Sequence, residues 1–248
     1  MRLDLFLTEK GYAASRTEAK NLITSGAVTV MGKRITKPSF HVSDELFDIT
    51  VDRSGKKYVS RGGIKLEGAL LAFGINPAGR LAIDIGASSG GFTDCLLQNG
   101  VKHVISVDSG SGQLADSIRR DSRVTVFESY NARYMKKTDF EYTPSLAVMD
   151  VSFISATYII PSVYEILADG ADFICLIKPQ FEVGRQGISK GGIVKSEKER
   201  LAAVAKVTEF AKKQGFSVVS VVTSSIQGGD GNIEYLAHFK KQADFFRL

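Results

Sequence analysis

The sequence predicts an α/β protein in which a doubly wound sheet follows a small N-terminal α+β module. Two observations lead to this prediction. Apolar runs with the length of buried strands alternate with helical patterns from residue 65 onward, whereas residues 1–58 combine two short helical patterns with short alternating strands. A chain of 248 residues with 44% hydrophobic content can bury one full α/β core and still form such a module. We therefore expect domains at residues 1–58 and 65–248, joined by a linker at residues 59–64.

The N-terminal module is predicted to contain helices over residues 2–11 and 15–25. Ser15 and Glu18 have the spacing of a capping box, in which the Ser15 hydroxyl accepts from the Glu18 amide and the Glu18 side chain reaches back toward the start of the helix. After Gly26, the sequence alternates at Val28 and Val30, turns near Met31-Gly32, and alternates again at Phe47, Ile49 and Val51. This second pattern predicts short strands.

Composition narrows the class of protein. The net charge is +5 and the pI about 9.1, and residues 1–60 contain ten Lys and Arg against seven Asp and Glu, which favours an anionic partner for the N-terminal module. Cys95 and Cys175 fit packing positions in a reducing cytosol, so a cytoplasmic protein is expected. His41, His103 and His238 lack metal-ligand spacing, and we expect no metal site. The early charges do not resemble a signal peptide, and no apolar run approaches the roughly 18 residues that span a bilayer.

Residues 15–33 carry a more specific pattern, Ser15-Arg16-x-x-Ala19-x-x-Leu22-Ile23-x-x-Gly26-x-Val28-x-Val30-x-Gly32-Lys33. It resembles the S4 RNA-binding domain over about the first 52 residues. Met31 departs from the pattern, because the family usually has Asn before the turn glycine, and this leaves the turn type open. The resemblance implies that RNA binds basic side chains, and a merely solvated basic face is the alternative. The candidates are Arg16, Lys20, Lys33, Arg34 and, in the predicted linker, Arg61.

Residues 81–93 contain an apolar strand that ends at Asp84, then a glycine-rich turn and a helix, as expected of a nucleotide-cofactor loop. The spacing of its glycines differs from G-x-G-x-x-G, and Asp84 would repel a phosphate. An acid there suits a ligand with an amino group and a positive centre, such as S-adenosylmethionine; a generic strand-turn-helix joint is the alternative. The candidate cofactor residues in the loop are Asp84, Gly86, Ala87, Ser88, Gly90, Gly91 and Phe92.

Six further strands are predicted over residues 103–108, 123–128, 145–150, 171–178, 217–222 and 233–239, with a long helix over residues 196–214. In an open parallel sheet the ligand lies beyond the carboxyl ends of the strands, so polar residues at those ends are candidates. Asp108 is placed to bind both ribose hydroxyls of an adenosine cofactor, with a helix N-cap as the alternative role. Glu128 and Asn131 are expected beside the adenine, although Asn is also common in turns.

Asp150 and Lys178 end two strands that should be neighbours in the sheet. A lysine that is desolvated there, near a second cation such as Lys65, loses affinity for its proton and can act as a base. Glu234 begins the last strand and can point to the same edge. The alternative is that Asp150 and Lys178 form only an ion pair that closes the edge of the sheet.

The order Lys65, Asp150, Lys178, Glu234 resembles the Lys-Asp-Lys-Glu tetrad of FtsJ-type ribose 2′-O-methyltransferases. With the flanking motifs Tyr58-Val-Ser-Arg-Gly-Gly-Ile-Lys65, Asp150-Val-Ser-Phe-Ile-Ser, Lys178-Pro-Gln-Phe-Glu182 and Gly231-Asn-Ile-Glu234, the chain resembles the TlyA/hemolysin A family.

The resemblance implies a Rossmann-like, seven-stranded methyltransferase domain that uses S-adenosylmethionine, joined to an S4 domain, with ribosomal RNA or ribosomal subunits as partner and a cytidine 2′-hydroxyl as acceptor. It implies that Lys178 is the base, that Asp150 and Lys65 position it, and that Glu234 orients the substrate side.

Two other hypotheses remain open from the sequence. One is a membrane-active haemolysin, as the historical family name suggests, although no apolar span or export signal supports it. The other is an RNA-binding protein with a vestigial cofactor site. Other methyltransferase chemistries fit less well. Carbon-5 methylation of pyrimidines needs a thiolate, whereas Cys175 is predicted within a strand and Cys95 within a helix. Amino-methylating enzymes usually have a loop with two prolines, and Asp150-Val-Ser-Phe153 has neither.

Overall fold

The computed structural model describes residues 1–42, 48–52, 57–184, 187–189, 191–228 and 231–242. The chain divides into two compact units, residues 1–57 and residues 58–248.

The first unit contains two helices and a three-stranded antiparallel sheet in the order β2-β1-β3. Its elements are α1 (Leu3–Glu9), α2 (Arg16–Thr24), β1 (Val28–Val30), β2 (Lys33–Ile35) and β3 (Ile49–Val51). Leu3 and Leu7 of α1 pack with Leu22 and Ile23 of α2 in one fully buried core, which is the small α+β arrangement that the sequence predicts. Phe47, assigned to the last strand of this unit, lies outside the described residues.

The two residues predicted to form a capping box, Ser15 and Glu18, both bind backbone amides at the start of helix α2. The Glu18 amide donates to Ser15 Oγ at 3.2 Å, as expected. The Glu18 carboxylate accepts from the Ala14 amide at 2.8 Å. It therefore binds the residue before the N-cap, one position earlier than in the standard capping box.

The turn between β1 and β2 is a two-residue loop, because Val30 pairs with Lys33. Met31 has φ +51° and Gly32 has φ +72°, the positive values that a type I′ hairpin turn requires at both positions. Replacement of the usual Asn by Met31 thus leaves the left-handed backbone in place. Met31 is 67% exposed and gains little packing in return.

The second unit is built on a seven-stranded sheet in the order β6-β5-β4-β7-β8-β10-β9. The strands are β4 (Leu81–Ile85), β5 (His103–Val107), β6 (Val124–Phe127), β7 (Leu146–Met149), β8 (Asp172–Ile177), β9 (Phe216–Thr223) and β10 (Tyr235–Lys241). The first five are parallel, and β10 runs antiparallel to both β8 and β9. The predicted seven-stranded, doubly wound fold is confirmed.

The helices of this unit are α3 (Gly62–Phe73), α4 (Gly91–Gln98), α5 (Asp116–Arg119), α6 (Ile160–Ile166), α7 (Pro179–Glu182) and α8 (Glu197–Lys213). One apolar core joins α3 and α4 to one face of the sheet, and a second joins α6 and α8 to the other. Strand order reverses at β4, whose neighbours are β5 and β7. A crevice is expected beyond the carboxyl end of a strand at such a switch point.

The helical pattern expected from residue 65 onward begins earlier, because α3 begins at Gly62 and residues 62–64 of the predicted linker are helical. The adjacent Tyr58 is 4% exposed and belongs to the α3–α4 core. A Cβ at Gly63 would lie 2.3 Å from the Tyr58 ring. The glycines that suggested a flexible linker instead let the first turn of α3 pack against Tyr58.

Candidate active site

The loop between β4 and α4 has three residues with positive φ, Gly86 (+83°), Ser88 (+48°) and Gly90 (+91°). A Cβ at Gly86 would lie 2.5 Å from the backbone oxygen of Asp150, and one at Gly90 would lie 2.9 Å from Leu114. At Gly91 it would lie 2.1 Å from Ser60 Oγ. Each glycine is therefore required by close packing inside the protein, whatever ligand the loop holds.

A cavity of about 340 Å³ opens at the carboxyl ends of the central strands. Four of the predicted cofactor residues line it: Gly86, Ser88, Asp108 and Asn131. The other lining residues were not predicted as cofactor contacts, and they include Gln113, Tyr130, Val151, Ser152, Phe153 and Ile154. They lie in irregular segments after the strands, where the sequence has no periodic pattern to interpret.

The remaining cofactor candidates in and beyond the loop do not line this cavity. Ala87 and Phe92 are buried, and Gly90 and Gly91 face protein neighbours. Glu128 accepts hydrogen bonds from Arg119 Nη2 at 2.6 Å and from the Gly112 amide at 2.9 Å. In the described structure Glu128 thus anchors a neighbouring loop rather than facing the cavity.

Asp108 holds the glycine-rich loop to the end of β5. Its Oδ2 accepts from the Ser88 amide and its Oδ1 from the Gly110 amide, both at 2.7 Å. The helix N-cap alternative is wrong, because α5 begins at Asp116 with Ala115 as its N-cap. Each carboxylate oxygen retains acceptor capacity for a further donor.

Asp84 lies beneath the loop with no exposed surface. Its Oδ2 accepts from Thr93 Oγ1 at 2.7 Å, whereas its Oδ1 has no hydrogen-bond partner among the described residues. Burial raises the pKa of Asp84 to about 7; the Thr93 hydrogen bond opposes this rise and the negative charge of Asp150 adds to it. An unpartnered buried carboxylate oxygen calls for a donor or a cation.

The four residues of the predicted tetrad form two ion pairs at the same edge of the sheet. Lys178 Nζ is 2.6 Å from Asp150 Oδ1, and Lys65 Nζ donates to Glu234 Oε2 at 2.5 Å. Because β10 is antiparallel and Tyr235 pairs with Ile177, Glu234 comes to the edge where Lys178 follows β8. The second pair is nearly hidden from solvent, with Lys65 7% and Glu234 2% exposed.

Ser152 is a partner of Lys178 that sequence reasoning missed. Lys178 Nζ donates to Ser152 Oγ at 2.7 Å. Ser152 lies two residues after Asp150, so one short loop supplies both partners of the lysine. The only available signal was the proximity of a serine to a strand-end acid, which is too common to be specific.

Phe153, also missed, is 92% exposed and has φ +64°, which is rare for a bulky residue. Its ring centroid lies 5.1 Å from that of Phe181, and the Phe181 centroid lies 6.0 Å from Lys178 Nζ. An aromatic ring held in solvent next to a lysine can stack on a flat ligand.

The RNA-binding candidates of the first unit differ in their freedom. Arg16 Nε lies 3.2 Å from Asp4 Oδ2, and Asp4 also binds Arg2. Lys20, Lys33 and Arg34 are exposed. In the second unit, Arg61 donates to the backbone oxygen of Gln227 at 2.7 Å.

Two further searches concern membranes and metals. Within the described ranges, no helix has both the length and the hydropathy needed to cross a membrane. The same residues contain no group of three or more His, Cys, Asp and Glu side chains placed to hold a metal ion.

The sheet order and the glycine loop after its first strand define a methyltransferase fold. A Listeria monocytogenes protein that carries the name of an S-adenosylmethionine dependent methyltransferase shares the fold at 16% identity, with a TM-score of 0.55 over 74% of this chain and 100% of that chain. The profile of FtsJ-like methyltransferases matches residues 58–241, and that of the S4 domain matches residues 1–46. The chain belongs to the FtsJ-like methyltransferases and, within them, to the TlyA/hemolysin A family that joins the two domains.

Two relatives support this membership over nearly the whole chain. The Mycobacterium tuberculosis protein named 16S/23S rRNA (cytidine-2′-O)-methyltransferase TlyA is 41% identical over 243 residues, which are 98% of this chain and 91% of the relative. A Streptococcus thermophilus protein that carries a hemolysin name has a solved structure with a TM-score of 0.79 and 44% identity, over 98% of this chain and 88% of that one.

Proposed function

We propose that this protein is an S-adenosylmethionine-dependent methyltransferase that modifies ribosomal RNA at the ribose 2′-hydroxyl of a cytidine. The observation that carries the proposal is Lys178, held by Asp150 and Ser152, which line the cavity, at the same edge of the sheet as a second lysine–carboxylate pair. The activity named for the Mycobacterium tuberculosis relative is of this kind. The S4 unit is the part that binds RNA, and the protein works in the cytoplasm on ribosomal RNA or ribosomal subunits.

The residues around the cavity fit S-adenosylmethionine. The unpartnered Oδ1 of Asp84 supplies negative charge beneath the glycine loop for a cationic ligand. Asp108 has acceptor capacity left for ribose hydroxyls, and Asn131 lines the same cavity. When bound, this cofactor supplies an electrophilic methyl group on a sulfonium.

A ribose hydroxyl is a poor nucleophile until its proton is removed, and Lys178 Nζ, as the neutral amine, is the group proposed to accept that proton and become an ammonium paired with Asp150. Asp150 and Ser152 fix the position of the amine, so that it meets the hydroxyl in one orientation. Glu234 is hidden behind Lys65, so its effect on the substrate passes through that lysine. Phe153 offers an exposed ring on which the base of the target nucleotide stacks.

Transfer of tritium-labelled methyl groups to purified ribosomal subunits tests the proposal. We expect the wild-type protein and Lys178→Ala to bind S-adenosylmethionine equally in calorimetry, while Lys178→Ala loses at least about 100-fold in transfer rate, the usual contribution of a positioned base. Lys213→Ala, which changes an exposed lysine on α8, should transfer as wild type does.

The same preparations separate the competing hypotheses. Absence of cofactor binding by the wild-type protein would favour an RNA-binding protein with a vestigial site. Leakage of liposomes caused by the pure protein would favour a membrane-active haemolysin. Full transfer by Lys178→Ala would show that another group takes the proton.

A further inference from the structure

Glu182, the last residue of α7, joins three separate segments of the catalytic unit. Its side chain is 2% exposed. Oε2 accepts from Ser155 Oγ at 2.6 Å, and Oε1 accepts from the Ala156 amide at 2.7 Å. Lys206 Nζ, on α8, donates to Oε2 at 3.0 Å and to the Glu182 backbone oxygen at 2.9 Å. Both oxygens of this buried carboxylate thus accept hydrogen bonds from other elements of the unit.

Two of the three segments that meet at Glu182 carry Lys178 and its partners. Lys178 immediately precedes the four-residue helix α7, and Glu182 ends it. Asp150 and Ser152 immediately follow β7, and Ser155 comes three residues after Ser152. Residues 150–156 and residues 178–182 are therefore in contact at two places, once through Lys178 and once through Glu182.

The stretch between these two contacts is strained. Phe153 has φ +64°, a conformation that non-glycine residues keep only when their surroundings hold it. Phe153 itself is almost fully exposed, so its own side chain does little to hold the backbone. Ser155 and Ala156, which follow in the same loop, each donate a hydrogen bond to Glu182, and Ser155 also bonds Thr157.

We propose that Glu182 is a positioning residue for methyl transfer: its carboxylate holds residues 150–156 against α7, so that Lys178 keeps both Asp150 and Ser152 as partners. This inference rests on the proposed function, in which Lys178 is the base. The loop donors to Glu182 are Ser155 and Ala156, which do not line the cavity, so Glu182 acts on Lys178 through the backbone of the loop.

The test uses the full chain and compares Glu182→Ala, Glu182→Gln and Lys206→Met in methyl transfer to ribosomal subunits. Lys206→Met is the matched control, because it removes the ion pair of the same carboxylate and leaves the bonds to Ser155 and Ala156. We expect Glu182→Ala to lower kcat about 10- to 100-fold, with KM for the subunits and the affinity for S-adenosylmethionine within about twofold of wild type. Glu182→Gln retains an acceptor for the Ala156 amide and should recover most of kcat.

Hydrogen exchange gives a readout that does not depend on the reaction. In Glu182→Ala the Ala156 amide should exchange faster than in wild type, whereas Lys206→Met should leave it protected. If Glu182→Ala does not fold, the test uses Ser155→Ala instead. This variant removes one of the two hydrogen bonds between the loop and Glu182, and we expect it to lower kcat about threefold.

The inference is overturned if the Glu182 variants lose thermal stability as Lys206→Met does but keep the kcat of wild type. It is also overturned if kcat and KM change together with cofactor affinity, since that pattern indicates general unfolding of the site. Failure of the proposed function looks different, because the wild-type protein itself would then transfer no methyl group to the subunits.

Discussion

Asp84 illustrates, at the scale of one residue, how burial prepares a side chain for a charged ligand. The carboxyl group is fully buried, and one of its oxygens lacks a hydrogen-bond partner in the described structure. Its pKa is raised to about 7 because the charged form is poorly solvated there. A cation bound above it would favour the carboxylate, so binding of such a ligand near neutral pH should release a proton.

This raised pKa predicts a pH-dependent stability of the ligand-free protein. The pKa of Asp84 is higher in the folded protein than its unfolded value of 3.8, so the folded state binds the proton more tightly. This contribution to the free energy of unfolding is fully present below pH 3.8 and is lost as the pH rises toward 7. Asp84→Asn cannot titrate. The melting temperature of wild type minus that of Asp84→Asn should therefore fall between about pH 4 and pH 7 and level off above, with a slope of roughly 1.4 kcal/mol per pH unit at most.

Differential scanning calorimetry of the two proteins across that range measures the difference. A constant difference would mean that Asp84 is charged throughout. Buffers of different ionisation enthalpy in titration calorimetry check the second part, since wild type should release protons on binding S-adenosylmethionine at pH 7 and Asp84→Asn should not.

Single residues differed in how far the sequence could predict them. Asp150 and Lys178 could be paired because each ends an apolar strand, and adjacent parallel strands bring their ends together. Ser152, Phe153 and Glu182 could not, because their contacts depend on the course of two irregular loops. Glu128 was predicted as a cofactor residue from its strand-end position, and its hydrogen bond from Arg119 could not be predicted, because that contact depends on the course of the neighbouring loop.

At the scale of elements, the packing of α3 on α4 explains why the glycine-rich sequences around both helix starts are needed. A Cβ at Gly91 would lie 2.1 Å from Ser60 Oγ and 3.1 Å from the Gly63 nitrogen. The start of α4 therefore lies directly against the start of α3. Since α4 directly follows the glycine-rich loop, any displacement here moves the loop as well.

We expect Gly91→Ala to lower the free energy of unfolding by about 1–3 kcal/mol, through overpacking, and to weaken cofactor binding. Ser60→Ala removes the atom that would be struck first, so the double variant should recover part of both losses. Gly62→Ala is the control, because its Cβ would meet its neighbours at an ordinary 3.4 Å. Denaturant unfolding and titration calorimetry measure the effects, and strictly additive losses in the double variant would disprove the proposed contact.

The β1–β2 hairpin gives a second prediction at this scale. Met31 occupies a left-handed backbone position without the side chain that best tolerates it. Met31→Asn should stabilise the hairpin by about 0.5–1 kcal/mol, whereas Met31→Ala should not. Slower hydrogen exchange at the paired amides of Val28–Ile35 in the Asn variant alone would agree, and equal exchange in both variants would contradict it.

Element types and their order followed from periodicity, and all seven strands of the large sheet were predicted. The start of α3 was misjudged because two consecutive glycines favour a linker in sequence, whereas here Gly63 leaves space for Tyr58. The turn at Met31 was left open because one atypical residue does not decide between turn types when the flanking strands already fix the register.

On the scale of the whole molecule, the chain combines a basic S4 unit with a catalytic unit that carries the cavity. Lys20, Lys33 and Arg34 are exposed in the first unit, and Arg34 packs its aliphatic stem near Gly26. If these side chains neutralise RNA phosphates, each contributes to a salt-dependent affinity that is independent of the cofactor.

Replacement of Lys20, Lys33 and Arg34 by Ala should weaken binding to ribosomal RNA and reduce the slope of log affinity against log salt by about 2 to 3. Binding of S-adenosylmethionine should be unchanged. A control with the exposed lysines of the second unit, Lys102, Lys198 and Lys213, removes the same charge. Equal losses in the two triple variants would mean that net charge, rather than the S4 surface, determines RNA binding.

In the proposed function, the two units together place one methyl group on a ribose of ribosomal RNA. Mapping of 2′-O-methyl groups along the ribosomal RNA of cells that contain the wild-type protein, the Lys178→Ala variant or no such protein measures this most directly. We predict at least one cytidine that is methylated only in the presence of the wild-type protein. Identical maps in all three kinds of cell would contradict the claim.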